Sequence, residues 1–308
     1  MDKLDVKILR ELALNRANSP FPSDVRVPYR TIAERLQVDE DTVRNRIKKF
    51  DQIGFLRNWQ LAMNPNLIGL KLVRIAFDFP FPTSKEDLIR KLKLIQGVLA
   101  IITHFGRSLG VILSYENEKS LRRQIELIQR MSNAENLVKG NIPLPECGIV
   151  LSKTDWNIIR SLQRNPHKPY HAVSKELGLS SKTVKRRLDR LIREKAIFLI
   201  ANLNPKASHD VVFVDLLVFY TSLESKSEVD RKISSEFDEY LVHAELTDTE
   251  HGLFVLVIRN VSKAQEILSW VKEQDGVREA RVALVEDRIE LYELFNEQLE
   301  KKFAQILA

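Results

Sequence analysis

An internal repeat constrains this chain more than any other feature. Asp5, Ile8, Leu9, Leu12 and Asn15 recur in order as Asp155, Ile158, Ile159, Leu162 and Asn165. Pro28-Tyr29 returns as Pro169-Tyr170, Leu36 as Leu177, and Thr42-Val43 as Thr183-Val184. Arg46-Ile47 returns as Arg187-Leu188, and Asn64-Pro65 as Asn204-Pro205. The offset falls from 150 to 141 because the first copy carries nine additional residues before its proline. Repetition at this scale means that one structural unit is built twice, each copy able to bury what the other exposes.

The local pattern of each unit is helical. Leu4, Ile8, Leu9 and Leu12 make an apolar stripe that predicts a helix over 4–14. Residues 16–27, with two prolines, read as an irregular loop. Pro28 suits the first turn of a helix running Tyr29 to Gln37. Asp39 is a candidate N-cap for a third helix, Glu40 to Asp51, with Val43, Ile47 and Phe50 inward. Gly54 ends it, and Phe55 to Ala62 is expected to form a short strand pair or wing. In the second copy the third helix is Ser180 to Lys195. Ser180 is its expected cap, Val184, Leu188 and Leu191 form its apolar face, and Lys182, Lys185, Arg186, Arg190 and Arg193 lie on the others. Three helices with a wing form the arrangement in which the third helix enters the DNA major groove.

The stretch after each unit repeats in pattern. Strands are expected at Leu70–Phe79, Val98–Thr103, Val111–Tyr115 and Asn136–Ile142, with helices at Ser84–Ile95 and Glu118–Met131. The second set is Val211–Tyr220, Ser227–Glu236, Tyr240–Leu246, Leu253–Ile258, Ser262–Gln274 and Val277–Val285. The order βαββαβ is ferredoxin-like, with both helices on one sheet face. The expected fold class is α+β, a tandem repeat of winged helix-turn-helix and ferredoxin-like domains. Boundaries fall at 1–65, 66–147, 148–206 and 207–287, with a C-terminal amphipathic helix over 288–308. Leaving the helix-free sheet faces wet would expose large apolar patches, so 66–140 and 207–287 are expected to pair, in cis or between chains.

Charge sharpens the division of labour. The net charge is +6, yet residues 152–206 alone carry +9 and residues 207–308 carry −10. A concentrated basic segment is an electrostatic footprint for nucleic acid, and the acidic part would face away from it. No apolar run reaches the roughly 20 residues that span a bilayer. The start lacks a signal-peptide pattern and Cys147 is the only cysteine, so a cytoplasmic location is expected and no intramolecular disulfide can form.

The module order resembles the Lrp/AsnC family of transcription regulators. The resemblance rests on Leu4-Asp5…Ile8-Leu9, on LGLSSKTVKRRLDRL (Leu177 to Leu191) and on GFLRNWQLAMNPNLIGL (Gly54 to Leu70), and it covers nearly the whole chain twice. It implies dimers whose ferredoxin-like domains pair, here a homodimer or an intramolecular pseudo-dimer, with amino acids or related effectors at domain interfaces. Family members often carry an aspartate three residues after a glycine in the turn between the second and third strands. Here Gly106 is followed by Leu109 and Gly252 by Val255.

The expected partner is double-stranded DNA. In the second copy its contacts are Ser180, Ser181, Lys182, Thr183, Lys185, Arg186 and Arg190; in the first they are Thr42, Arg44, Asn45 and Lys48. Asp39, Glu40 and Asp41 place carboxylates where the first helix would meet phosphates, so the second head is expected to dominate. An effector would meet His104, Gly106, Arg107, Ser108, Thr249, His251 and Gly252. No catalytic residue, metal site or cofactor is expected, since the histidines lack ligand spacing and no phosphate-binding glycine loop occurs. Two rivals stand beside the regulator. One is a sirohaem decarboxylase-like enzyme, which such a fold resembles, although Pro65 and Pro205 stand where that family's wing carries histidine. The other is a sensor or scaffold without DNA binding.

Overall fold

The computed structural model describes residues 1–13, 29–163, 165–208, 210–245 and 248–291, together with 296, 300 and 304. The first half contains α1 (Lys3–Ala13), α2 (Tyr29–Leu36), α3 (Glu40–Gln52), β1 (Leu56–Met63), β2 (Lys71–Asp78), α4 (Lys85–Leu92), β3 (Val98–His104), β4 (Ser108–Tyr115), α5 (Glu118–Ser132) and β5 (Glu135–Ile142). The second contains α6 (Lys153–Gln163), α7 (Tyr170–Leu177), α8 (Ser181–Arg193), β6 (Ile197–Leu203), β7 (Val212–Tyr220), α9 (Leu223–Glu236), β8 (Leu241–Glu245), β9 (His251–Ile258), α10 (Val261–Lys272) and β10 (Val277–Glu290). Both halves therefore repeat three helices, a strand and a βαββαβ module. The loop expected at 16–27, His209 and most of the expected C-terminal helix lie outside the described residues.

The wing does not form within one copy. β1 pairs antiparallel with β6 of the other half, Trp59 opposite Ala201 and Met63 opposite Ile197. The repeated Asn-Pro explains the partnership. Asn64 donates its backbone N–H to Ala196 O at 2.9 Å and its Nδ2 to Lys195 O at 3.0 Å. Reciprocally, Asn204 donates its backbone N–H to Phe55 O at 2.7 Å and its Nδ2 to Gly54 O at 3.2 Å. Each Asn thus closes the end of a ribbon joining the two helical units. A lone strand cannot satisfy its own backbone groups, so the two copies supply each other's partner.

The ferredoxin-like modules also merge, into one eight-stranded sheet in the order β5-β2-β4-β3-β10-β7-β9-β8. The junction is β10 against β3, with Val285 opposite His104 and Ile289 opposite Ile101. Arg288 to Glu290, expected to open a helix, instead extend β10, because the exposed edge of β3 offers backbone partners to an extended chain. The sheet is strongly curled. β2 and β7 lie four strand steps apart, roughly 19 Å in a flat sheet, yet Arg74 of β2 touches Asp215 of β7 at 2.6 Å. At the outer edges, Asn141 of β5 donates to Asp248 between β8 and β9 at 2.9 Å. Pro143 and Pro145 follow β5 and cannot donate ladder hydrogen bonds, which stops that strand from copying the extension of β10.

Alternation divides the core. Val73, Ile75 and Phe77 face α4 and α5, packing on Leu88, Leu92, Leu121 and Ile128. Val214, Leu216 and Val218 do the same against Val229, Ile233, Ile267 and Val271. The helix-free positions Leu72, Ile102, Ile112, Phe213, Val257 and Val285 join the helical units in a third, common core. Each such buried side chain is worth about 1.5–3 kcal/mol against exposure. The expected pairing of the bare faces occurs within one chain.

Candidate nucleic-acid interface and interdomain cavities

The basic helix α8 is set rigidly in its unit. Ser180 caps it by accepting from the Thr183 N–H at 3.1 Å, and its Oγ lies 2.9 Å from Thr183 Oγ1. Those two hydroxyls hold the helix start as well as being candidates for DNA. Val184, Leu188 and Leu191 are buried, each at 1% exposure or less, and the opposite face carries Ser181, Lys182, Lys185, Arg186 and Arg190 into solvent. Among the described residues none of these four cations makes an ion pair with a carboxylate. They form an uncompensated positive strip.

The equivalent face of α3 is neutralised from within. Arg44 binds Glu40 at 2.5 Å and Asp41 at 3.4 Å, leaving Thr42, Asn45 and Lys48 as the remaining candidates. These exposed pairs add little stability. Their consequence is electrostatic, because a phosphate would have to compete with two carboxylates for Arg44.

A second pair of arginines works inside the units. Arg46 binds Asp5 at 2.9 Å and Asp2 at 2.6 Å, while Arg187 binds Asp155 at 2.9 Å and Ser152 Oγ at 3.0 Å. Asp5 and Asp155 are almost fully buried. Each arginine therefore ties the recognition helix to the first helix of its unit. Burial opposes ionisation of Asp155, but bonds from Ser152 and Arg187 more than offset it and hold the carboxyl below its usual range.

Across the curled sheet, Asp215 accepts from Arg74 at 2.6 Å and lies 3.0 Å from His104 Nε2. Ser108 Oγ sits 3.3 Å from His104 Nδ1. Burial opposes the charge on Asp215, and Arg74 and His104 outweigh it, so this carboxyl too is held low. His104 is thus a buried member of the interface between the halves, because β3 pairs with β10 up to its last residue. The sign of the resulting pH dependence is fixed. Carboxylates with depressed folded-state pKa values stabilise fully above about pH 3.9, and that contribution is lost as pH falls through the lowered values. Through these carboxylates the melting temperature is expected to drop below about pH 4. Calorimetry showing a rise on acidification below pH 4 would contradict these assignments.

Two cavities flank the Arg74–Asp215 pair. One, about 100 Å³, lies under the ribbon and is lined by Leu203, Pro205, Phe213, His243, Arg288 and Glu290 among others. The other, about 140 Å³, includes His104, Ser108, Asn136 and Arg281. Of the expected effector residues only His104 and Ser108 line either one. Arg107 folds back over the rings of Phe79 and Phe81 and donates Nε to Phe79 O at 2.8 Å. Gly106 keeps its turn, with φ +90°. Gly252 does not occupy one: it lies inside β9 opposite Val218. Its missing side chain leaves room for Tyr220, Lys226 and Asp230, whose polar atoms would all stand 3.2 Å from a Cβ there. Lys226 binds Asp230 at 2.5 Å, and Tyr220 donates to the same carboxylate. Thr249 Oγ1 lies 3.0 Å from His251 Nδ1, and the His251 pKa is lowered by burial and then by Lys226.

Residues 1–50 match the AsnC-type helix-turn-helix domain, and residues 151–197 match a winged helix-turn-helix DNA-binding domain. Over 136 residues the chain is 36% identical to an uncharacterised HTH-type transcriptional regulator of Pyrococcus abyssi, covering 44% of this chain and 86% of the relative. The chain belongs to the Lrp/AsnC-type transcriptional regulators, in tandem form. This tandem regulator is also 30% identical to the HTH-type transcriptional regulator Ptr1 of Methanocaldococcus jannaschii, over 34% of the chain and 66% of Ptr1. It is 31% identical to LrpA of Pyrococcus horikoshii, over 27% of the chain and 59% of LrpA. It thus spans less than two thirds of the length of each of these two relatives. A crystal structure of the siroheme decarboxylase NirDL covers 99% of both chains with a TM-score of 0.56 at 14% identity, a likeness of fold. In the tandem regulator the recurrence of Asp5/Arg46 as Asp155/Arg187 was the one sequence signal that could have identified the two internal clamps. Arg74 and Asp215 carried no such signal, because they differ between the copies.

Proposed function

We propose that this chain is a DNA-binding transcription regulator whose second recognition helix, α8, supplies most of the affinity. The observation that carries the reading is the contrast between the two heads: exposed cations without ion-pair partners among the described residues on α8, and an arginine held by two carboxylates on α3. Lys182, Lys185, Arg186 and Arg190 neutralise phosphates, while Thr42, Asn45 and Lys48 give the first head a weaker contact. The ribbon between β1 and β6 couples the heads, so they engage one duplex together. Binding-site selection from random DNA tests this directly, with enrichment of an asymmetric motif expected and no enrichment counting against it. The two cavities suit a ligand no larger than a small amino acid, which is the effector class we assign to them. A cytoplasmic site of action fits a DNA ligand, and among the described residues no helix is long and apolar enough to cross a membrane.

The fold of NirDL raises an enzymatic reading. The two cavities beside the Arg74–Asp215 pair, about 100 and 140 Å³, fall well below the roughly 300–1,000 Å³ that enclose drug-sized ligands. A larger cavity of about 480 Å³, lined by Met1, Lys3, Glu239 and Lys263 among others, has no histidine or cysteine in its lining to take an iron. Pro65 and Pro205 supply no side-chain donor to an iron or a carboxylate. The expected result is that the absorption spectrum of sirohaem is unchanged on titration with the protein and no carbon dioxide is released. Release with turnover would establish the enzyme instead.

A further inference from the structure

Arg74 and Asp215 occupy the same position in the two copies. Leu72 and Phe213, two residues earlier, both enter the common core, while the flanking pairs Val73/Ile75 and Val214/Leu216 both face their own helices. Arg74 stands opposite Ile112 of β4, as Asp215 stands opposite Val255 of β9, and the offset of 141 is that of Pro28 and Pro169. These residues therefore meet where a symmetric dimer would bring one residue against its own copy. We propose that this pair is a pairing code, which makes the first half select the second and reject a copy of itself.

The physical basis is the sign of buried charge. Arg74 is 7% exposed and Asp215 is 5% exposed. A pairing of two first halves would put two guanidiniums at this point, and a pairing of two second halves would put two carboxylates there. Like charges brought out of water cost far more than the same charges in solvent. The strand junction adds to the discrimination against two first halves: Pro143 and Pro145 deny β5 the extension through which β10 grips β3. Two second halves would each have that extension, so for them the carboxylate at Asp215 is the principal barrier. His104, which bonds Asp215 from the first half, further favours the mixed pair. The partner that fits each bare face is the opposite half, in the same chain or, exchanged, in a second chain.

The test uses full-length chains. R74D places two carboxylates at the junction and D215R two guanidiniums, so each alone is expected to lose at least 10 °C in melting temperature or to fail to fold. When the two variants are denatured together and refolded as a mixture, each first half finds an oppositely charged second half only in the other chain. Light scattering is expected to show a 1:1 dimer of the two variants, formed by exchange of halves and absent when either is refolded alone. The neutral variant R74M/D215N removes the code without adding repulsion, and it is expected to fold and yield a mixture of monomer and self-associated species. Refolded mixtures of R74D and D215R that give only separate chains, folded or not, would overturn the proposal. So would an R74M/D215N chain whose distribution of oligomers by light scattering matches that of the parent.

Discussion

Replacing Lys182, Lys185 and Arg186 together by alanine is expected to weaken DNA binding by on the order of 100-fold or more near physiological salt. Each phosphate contact releases condensed counterions, so log K falls against log[salt] with a slope of about −0.9 per contact, and losing three flattens it by roughly 2.7. The corresponding change in the first head, Arg44→Ala with Lys48→Ala, removes one cation already held by Glu40 and Asp41. There the slope should change by no more than about 0.9, with affinity within a few-fold of the parent. Fluorescence anisotropy across a salt series measures both quantities. A larger loss from the α3 substitutions than from those on α8 would reverse the assignment of the leading head.

The second large effect is on stability. Arg187→Ala leaves Asp155, 1% exposed, with Ser152 as its remaining bond donor on that carboxylate. Breaking a buried pair by removing one partner costs about 3–5 kcal/mol, and the lower end is expected here because Arg187 is itself partly exposed. Arg46→Ala should behave alike through Asp5 and Asp2. The double variant Asp155→Asn with Arg187→Ala should cost less than the sum of the single changes, since residues in contact are not additive. Urea unfolding with all four chains reads this directly. Additive losses would show that the two side chains do not depend on each other. Because both clamps hold a recognition helix to its neighbour, loss of either should also weaken DNA binding, without altering the charge of the exposed strip.

What the chain order alone determined is local. Spacing of Val43, Ile47 and Phe50, and of Val184, Leu188 and Leu191, set the buried faces of α3 and α8, because a helix returns to the same face every three to four residues. The repeat established that both copies share one plan, and the basic run of residues 182–193 pointed to the face of α8 that meets solvent. Only the tertiary structure decided which strand accepts which partner. Neither the pairing of β1 with β6 nor the run of β10 across to β3 leaves a periodic trace, since a backbone donor is the same group whatever residue carries it. Gly252, expected in a turn, was misplaced for that reason: it lies inside β9 opposite Val218. Arg74 and Asp215 gain their meaning only when the two bare faces meet, because a buried charge is defined by what stands opposite it, 141 residues away in the chain.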